Sequence, residues 1–403
     1  MILADRCELS AISRRIRAPS RLEKNIVTSS NFLHLSEYDR HEHVVEHRDE
    51  RSGLHTVIAL HNTSRGPALG GCRMWPYTDR LEAIRDVLRL SRGMTYKSAL
   101  AGLELGGGKA VIIGCPRRDK TPDLLRAMGR FVDTLKGQYI TAPDSGSNAA
   151  DMCVIAEETP WVSGIDASAK HSGDPSPSTA YGTLIGIQAA VRHRFGHEDL
   201  TGLKVAIQGV GNVGFHLAQL LAERGVELVV ADVSDRNIDR LLESTDAKVV
   251  DAERIYDQAV DVFSPCAMGS AINPSTIDRI SAPIIAGAAN NQLATPKEGH
   301  RLHERNTLYV PDYAINAGGI VDIAYRQRGG SDAEILEHIQ SIAKTLIDIF
   351  QRSDVQDRPT FLVADDLAEE RFHWGSTPAA LEHVPGADNR RVHPPTSISI
   401  ADR

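Results

Sequence analysis

The sequence predicts an α/β protein of two domains, and three observations lead there. The chain has 403 residues, and one domain takes up about 150. Short apolar runs alternate with amphipathic helical runs, the pattern of sheets layered with helices. Gly209-Val-Gly211-Asn-Val-Gly214 stands between one such strand and one such helix, where a dinucleotide fingerprint belongs.

The elements follow in order. Residues 1–30 carry Arg6, Arg14, Arg15, Arg17 and Arg21 but no apolar stretch, so a flexible extension is expected rather than a secretory signal. His43–His47 and Leu54–His61 read as strands joined by a turn through Asp49–Gly53. Thr78-Asp79 can cap a helix whose apolar positions are Leu81, Ile84, Val87 and Leu88. Ala110–Ile113 is a short strand closed by Gly114. Thr121-Pro122 opens a helix that buries Leu124, Leu125, Met128, Phe131, Val132 and Leu135, and Gly137 ends it. Tyr139-Ile140 is strand-like, and Thr179–Phe195 is a helical run. A second series then sets strands at Lys204–Gln208, Glu227–Val230, Val262–Ser264, Ile284–Ala286 and Leu308–Val310, which implies a parallel sheet. A long helix follows, with Ile335, Ile339, Ile342, Ala343 and Leu346 on one face, and residues 375–403 read as a flexible tail.

Composition narrows the function. Hydrophobic residues make up 41% and charged residues 24%, with a formal net charge of −8. An acidic surface disfavours nucleic acid or an anionic membrane as partner. No apolar stretch approaches the roughly 20 residues that span a bilayer. The five cysteines, Cys7, Cys72, Cys115, Cys153 and Cys266, form no C-x-x-C pair. Neither a disulfide framework nor a zinc site is expected, and a cytoplasmic protein fits. His41, His43 and His47 are dense, with His41 and His43 on one strand face, but solvated histidines of a half-exposed hairpin are expected there rather than metal ligands. Cys266 and Trp75 are expected to be packing residues.

The fingerprint points to a dinucleotide. Gly209 permits the tight turn, Gly211 lets the backbone approach a pyrophosphate, and Gly214 lets helix and strand pack closely. The following helix N-terminus offers free N–H groups to the phosphates. Asp232 lies 18 residues beyond Gly214, at the end of the next strand. A carboxylate there accepts bonds from an adenosine ribose and repels a 2′-phosphate, which favours NAD over NADP, although Arg236 stands nearby.

The segment Gly93–Lys109 holds Lys97 and Lys109 among apolar residues and glycines. It is not a P-loop, since Ala110 stands where Ser or Thr would bind Mg²⁺. Gly106–Gly108 are expected to let the backbone approach a ligand. Two buried ammonium groups repel each other, and burial favours the neutral amine, so one lysine can become a base. The other can stay charged and bind a carboxylate. Asp144, in Thr141-Ala-Pro-Asp144-Ser-Gly, lies just past a strand end, where ligands bind in α/β folds.

These segments resemble the leucine, valine and phenylalanine dehydrogenase group of the glutamate dehydrogenase superfamily. The matching stretches are Gly66–Trp75, Gly93–Gly114, Thr141–Met152, Gly173–Gly182, Gly209–Gly214, Phe263–Gly269, Ala286–Leu293 and Tyr309–Gly319, in the family's order. The resemblance implies two domains with a cleft: residues 31–172 plus 350–374 for substrate and oligomer contacts, and 173–349 as an NAD-binding Rossmann domain. It implies a homo-oligomer that reversibly deaminates an L-amino acid to the 2-oxo acid and ammonia. By resemblance, Lys97 binds the substrate carboxylate, Lys109 activates water and Asp144 shuttles protons. Asn291 meets the carboxylate near the nicotinamide, and Thr179 contacts its carboxamide. Asn212, Val213 and Ala267 join the fingerprint glycines around the cofactor, and Gly70 lines the substrate site. Leu69, Ala142, Ile320 and Ile323 select the side chain. Isoleucines where leucine-type members tend to have valine narrow the pocket and favour valine or leucine as substrate. Pro143, Ser147 and Asn148 resemble the phenylalanine-type loop instead, so an aromatic amino-acid dehydrogenase is the alternative. A catalytically silent nucleotide-binding protein is another, though such a copy has no need of Lys97, Lys109 and Asp144 together.

Overall fold

A computed structural model describes residues 32–165, 174–267 and 269–373. The extension at 1–30, the tail at 375–403 and the Gly173 end of its motif lie outside the described residues.

The first part of the chain builds a five-stranded sheet from β1 (His43–Asp49), β2 (Leu54–Asn62), β3 (Ala68–Trp75), β4 (Gly106–Ile113) and β5 (Tyr139–Pro143). Its order is β1-β2-β4-β3-β5, and β3 runs parallel to both neighbours. Alternate residues of β2 face opposite ways. Val57 and Ala59 meet α1 (Arg80–Leu100) through Ala83, Ile84, Val87 and Leu88. Ile58 and Leu60 meet α2 (Pro122–Thr134) and α3 (Ala149–Ala156) through Phe131, Met128 and Ile155. The caps are local chemistry: Asp79 accepts the Glu82 N–H at 2.8 Å, and Thr121 accepts the Leu124 N–H.

The second part begins with α4 (Ser176–Phe195) and then alternates β6 (Lys204–Gln208), α5 (Asn212–Ala222), β7 (Glu227–Ala231), α6 (Asp235–Leu242), β8 (Lys248–Val249), β9 (Val262–Pro265), β10 (Ile284–Ile285), α7 (Pro296–Glu304) and β11 (Leu308–Tyr309). All pairings are parallel, in the order β11-β10-β9-β6-β7-β8. This is the doubly wound dinucleotide-binding order, reversing between β6 and β9. Both faces are covered: Val205, Ile207 and Val262 pack to one side, Ala206 and Phe263 to the other. The chain then forms α8 (Asp312–Ile315), α9 (Gly318–Gln327), α10 (Asp332–Gln356) and α11 (Thr360–Arg371).

After α10 the chain returns to the first sheet's helix. Phe372, only 2% exposed, packs its ring 5.4 Å from Tyr96 of α1 and 6.4 Å from His61 of β2. Arg371 donates to the Leu100 carbonyl at 2.7 Å, one of the unpaired carbonyls ending α1. Phe372→Ala is expected to cost about 3–5 kcal/mol, the usual loss for emptying a buried aromatic site. The denaturant midpoint measures this, and an unchanged midpoint would show that α11 adds nothing to α1.

Several expectations need correction. The sequence reading passes over β3, because Gly70, Gly71 and Arg73 dilute a strand signal. Trp75 is not a core residue: it ends β3 with 45% of its surface exposed. The histidines are not a solvated row. His41 precedes β1 and is buried, with Nε2 bonding the Leu88 carbonyl at 3.1 Å and Ser91 Oγ at 3.0 Å. His47 is buried too and stacks on Phe131 at 4.8 Å. Gly106–Gly108 also serve the fold's own contacts: a Cβ at Gly106 meets the Asn62 carbonyl, at Gly107 the backbone of Thr95, and at Gly108 the ring of Tyr139. The α2 helix stops at Thr134, ahead of Gly137, which takes a φ of +84° in the turn that follows.

Candidate active site

The last turn of α1, the start of β4 and the ends of β3 and β5 converge on one region. Lys97 projects from α1 and donates from Nζ to Asn290 Oδ1 at 2.9 Å. That bond ties the first sheet's helix to the loop after β10. Burial pushes the Lys97 amine down to about 8, opposed by the Asp312 carboxylate. Burial in turn pushes Asp312 up, opposed by Lys97.

Lys109 on β4 is 5% exposed, and its Nζ contacts Asp144 Oδ2 directly. Burial first, then the Arg73 and Lys97 cations, push its amine down to about 7. Asp144 follows β5 directly. Its Oδ1 accepts the Ser145 N–H at 2.5 Å and Arg73 Nη2 at 3.4 Å. A Cβ at Gly71 would meet the Asp144 side chain, so the glycine is what lets Asp144 approach β3.

Two asparagines sort themselves here. Asn290 Oδ1 accepts from Lys97 and, at 2.8 Å, from Asn316 Nδ2 just past α8. With its oxygen engaged twice, the Asn290 amide has N–H donors left to offer a carboxylate. Asn291, the residue singled out in sequence, instead takes a left-handed φ of 53° and gives its carbonyl to the Ser270 N–H. Asn290, Asn316, Arg73 and Asp312 all lie inside the motifs quoted above. The only signal for them was polar character within glycine-rich or apolar text.

The side-chain selectors all belong to the large core that joins the two parts of the chain. Leu69 (β3), Ala142 (β5) and Ile320 (α9) are buried in one continuous apolar cluster, and Ile323, one turn along α9, packs against it. Gly70 lies inside β3, its carbonyl taking the Tyr139 hydroxyl at 2.7 Å, and a Cβ there meets the Gly108 backbone. Thr179 sits in the first turn of α4, its hydroxyl on the Pro175 carbonyl at 3.0 Å and against Gly319 of α9.

The fingerprint loop fits a dinucleotide, glycine by glycine. Gly209 has a φ of +91°, and a Cβ there would strike Ala267, so the ends of β6 and β9 nearly touch at the switch point. A Cβ on Gly211 meets nothing within 4 Å, leaving the loop open on the ligand side. One on Gly214 would strike the Gly209 carbonyl. Gly211 is the N-cap of α5 and no side chain caps that helix, so the N–H groups at Asn212, Val213 and Gly214 are available to an anion. Asp232 closes the loop from β7, its Oδ2 taking the Val210 N–H and its Oδ1 the Ser234 N–H, both at 2.8 Å. Among the described residues no group of three or more His, Cys, Asp or Glu could hold a metal, and no helix is long and apolar enough to cross a membrane.

A dinucleotide-type sheet joined to a second α/β unit that brings Lys97, the buried Lys109 and Asp144 together is the architecture of a dehydrogenase. The comparisons with known proteins agree. Residues 39–161 match the model described as "Glu/Leu/Phe/Val dehydrogenase, dimerisation domain", and residues 172–346 match "Glutamate/Leucine/Phenylalanine/Valine dehydrogenase". The chain belongs to this family of amino-acid dehydrogenases. It is 46% identical to leucine dehydrogenase of Bacillus subtilis, over 85% of this chain and 93% of the relative. It is 44% identical to phenylalanine dehydrogenase of Thermoactinomyces intermedius, over 82% and 91%. The crystal structure of L-tryptophan dehydrogenase from Nostoc punctiforme superposes with a TM-score of 0.72 at 41% identity, covering 82% of this chain and 96% of that one.

Proposed function

We propose that this protein catalyses the reversible NAD-dependent oxidative deamination of a branched aliphatic L-amino acid to its 2-oxo acid and ammonia. The contact between Lys109 and Asp144, with the Lys97 cation acting on the same amine, carries this reading. Lys97 and the Asn290 amide hold the substrate carboxylate. Asp144 takes a proton from the substrate ammonium, leaving the amine lone pair free to drive hydride loss from the α-carbon. When bound, the nicotinamide supplies the hydride acceptor. Lys109, whose amine burial brings down to about 7, takes in its neutral form a proton from water as the oxygen attacks the imino carbon. Asp144 returns its proton to the carbinolamine nitrogen and, again an anion, takes the carbinolamine hydroxyl proton as the carbonyl forms and ammonia leaves. The buried setting of Lys109 keeps further water from the reacting carbon.

Asp232 supports NAD over NADP: a 2′-phosphate would add two charges beside a carboxylate already fixed by the Val210 and Ser234 N–H groups. The match of residues 39–161 to a dimerisation domain supports a homo-oligomer.

Identity to the leucine and phenylalanine enzymes differs little, so the pocket decides the substrate. Ile320 lies buried on α9 in that apolar cluster and Ile323 packs against it; by the family resemblance these two branched side chains would narrow the pocket. Of the loop features that resemble the phenylalanine type, Ser147 serves the backbone, its Oγ accepting the Asp144 N–H at 3.0 Å. Ser147 Oγ donates to the Cys72 carbonyl at 2.7 Å, and Asn148 caps α3 by accepting the Asp151 N–H at 3.1 Å. The test is NADH formation at alkaline pH over a panel of L-amino acids. Valine or leucine should lead, and Ile320→Gly should move relative kcat/KM toward phenylalanine by about 10-fold or more. Phenylalanine or tryptophan leading in the unaltered protein would favour the aromatic reading. NAD binding without turnover of any amino acid would favour a silent protein.

A further inference from the structure

Lys109 poses an electrostatic problem. A lysine in contact with an aspartate is an ion pair, and an ion pair holds the ammonium form. A base must lose that proton near the working pH. The partner that resolves this sits on the other side of Asp144. Arg73 projects from β3, with its side chain only 24% exposed. Its Nη2 reaches Asp144 Oδ1 at 3.4 Å, and its Nη1 reaches Asp86 Oδ2 of α1 at 2.9 Å. Asp86 Oδ2 is held in turn by the Tyr77 hydroxyl at 2.6 Å. Arg73 Nε is buried and makes no hydrogen bond among the described residues. Its guanidinium is thus committed to two carboxylates, one outside the site and one within it.

Resting on the dehydrogenase reading above, we infer that Arg73 is a positioning residue that turns Asp144 toward Lys109 and offsets the pull of that carboxylate on the Lys109 proton. Asp144 uses Oδ1 for Arg73 and Ser145 and keeps Oδ2 for Lys109. The same guanidinium adds a second positive charge across the carboxylate, so Lys109 faces a roughly neutral pair instead of a bare anion. The other groups around Lys109 are few. Cys72 on β3 is a thiol that burial pushes up to about 12, so it carries no charge. Lys97 and Asp86 on α1 act with opposite signs, Lys97 lowering and Asp86 raising the Lys109 amine. On β2 the strand partner is Ala59, which carries no charge. Arg73 is the strongest charged influence pressing the amine downward, second only to burial. Arginine suits the task because it stays charged across the working range and its fork spans two carboxylates.

The test reads Lys109 directly, in the full chain. Its labelling by an amine-reactive acylating reagent is followed against pH by peptide mass spectrometry, with Lys109→Ala as the blank. Arg73→Met and the polar variant Arg73→Gln should raise the half-point by about one pH unit or more. The acid limb of kcat/KM should move with it, so that activity falls about tenfold at neutral pH and recovers at alkaline pH. Arg73→Lys, which keeps the charge but not the fork, should restore at least half of the shift. An unmoved half-point in Arg73→Met and Arg73→Gln overturns the inference. So does a shift in Arg73→Lys as large as in Arg73→Met, since charge is then not the cause. Labelling needs no turnover, so an Arg73-dependent half-point in a chain that oxidises no amino acid would defeat the dehydrogenase reading alone.

Discussion

Lys109→Ala is expected to lower kcat by about 10²–10⁴-fold, the usual contribution of a positioned base, while dinucleotide affinity stays within about twofold of the unaltered protein. The two effects separate because Lys109 lies on β4 of the first sheet and the glycine loop on the second. The truncation also leaves Asp144 with its Arg73 and Ser145 contacts, so no lone carboxylate remains to unfold the site. A pH signature accompanies the loss. The amine must be neutral to take a proton, and its value lies at about 7. In the unaltered protein kcat/KM should therefore rise with pH through about 7, and in Lys109→Ala this limb should vanish. Steady-state rates with calorimetric dinucleotide binding check both. Retained turnover would remove Lys109 from the reaction.

Lys97→Met is expected to act chiefly on substrate binding. Removing a buried cation from a carboxylate costs about 2–5 kcal/mol, or roughly 30-fold to several thousand-fold in kcat/KM at 1.4 kcal/mol per decade. Lys97 holds the carboxylate both before and at the transition state, so the loss should appear in KM more than in kcat. Burial brings the Lys97 amine down to about 8, and the cation is present only below that value. KM in the unaltered protein should thus climb as pH passes about 8, and in Lys97→Met it should be high and flat across the same range. An equal loss in kcat would mean that Lys97 serves the chemical step instead.

How much of this was legible in the sequence depended on how local the cause was. Caps at Asp79 and Thr121, the apolar stripe of α10 and the glycine loop after β6 are written in a few neighbouring residues. They read correctly because the physics that sets them spans only those residues. Strand β3 did not read, since its glycines are there for close approach to β4 and to Asp144 rather than for strand propensity. The chemistry of Lys97, Lys109 and Asp144 could be suspected from residue type and an apolar setting. Their company could not. Arg73 reaches Asp144 because Cys72 of β3 registers with Pro143 of β5, a pairing across about seventy positions. Asn290 and Asn291 are identical neighbours. Asn290 meets Lys97 while its neighbour Asn291 takes a left-handed backbone, and two like residues in a row carry no sign of that difference. The histidines misled for the same reason: what buries His41 is the Leu88 and Ser91 turn of α1, far along the chain.

The return of α11 to α1 has a consequence for the order in which the protein can be made. The five strands of the first sheet are complete at Pro143, but the helix that covers α1 begins only at Thr360. At about 5–20 residues per second of synthesis, Tyr96 and His61 wait about 10–40 s on the ribosome before Phe372 arrives to pack against them. During that interval the whole dinucleotide-binding sheet emerges. The half of the molecule that starts first is the half that finishes last.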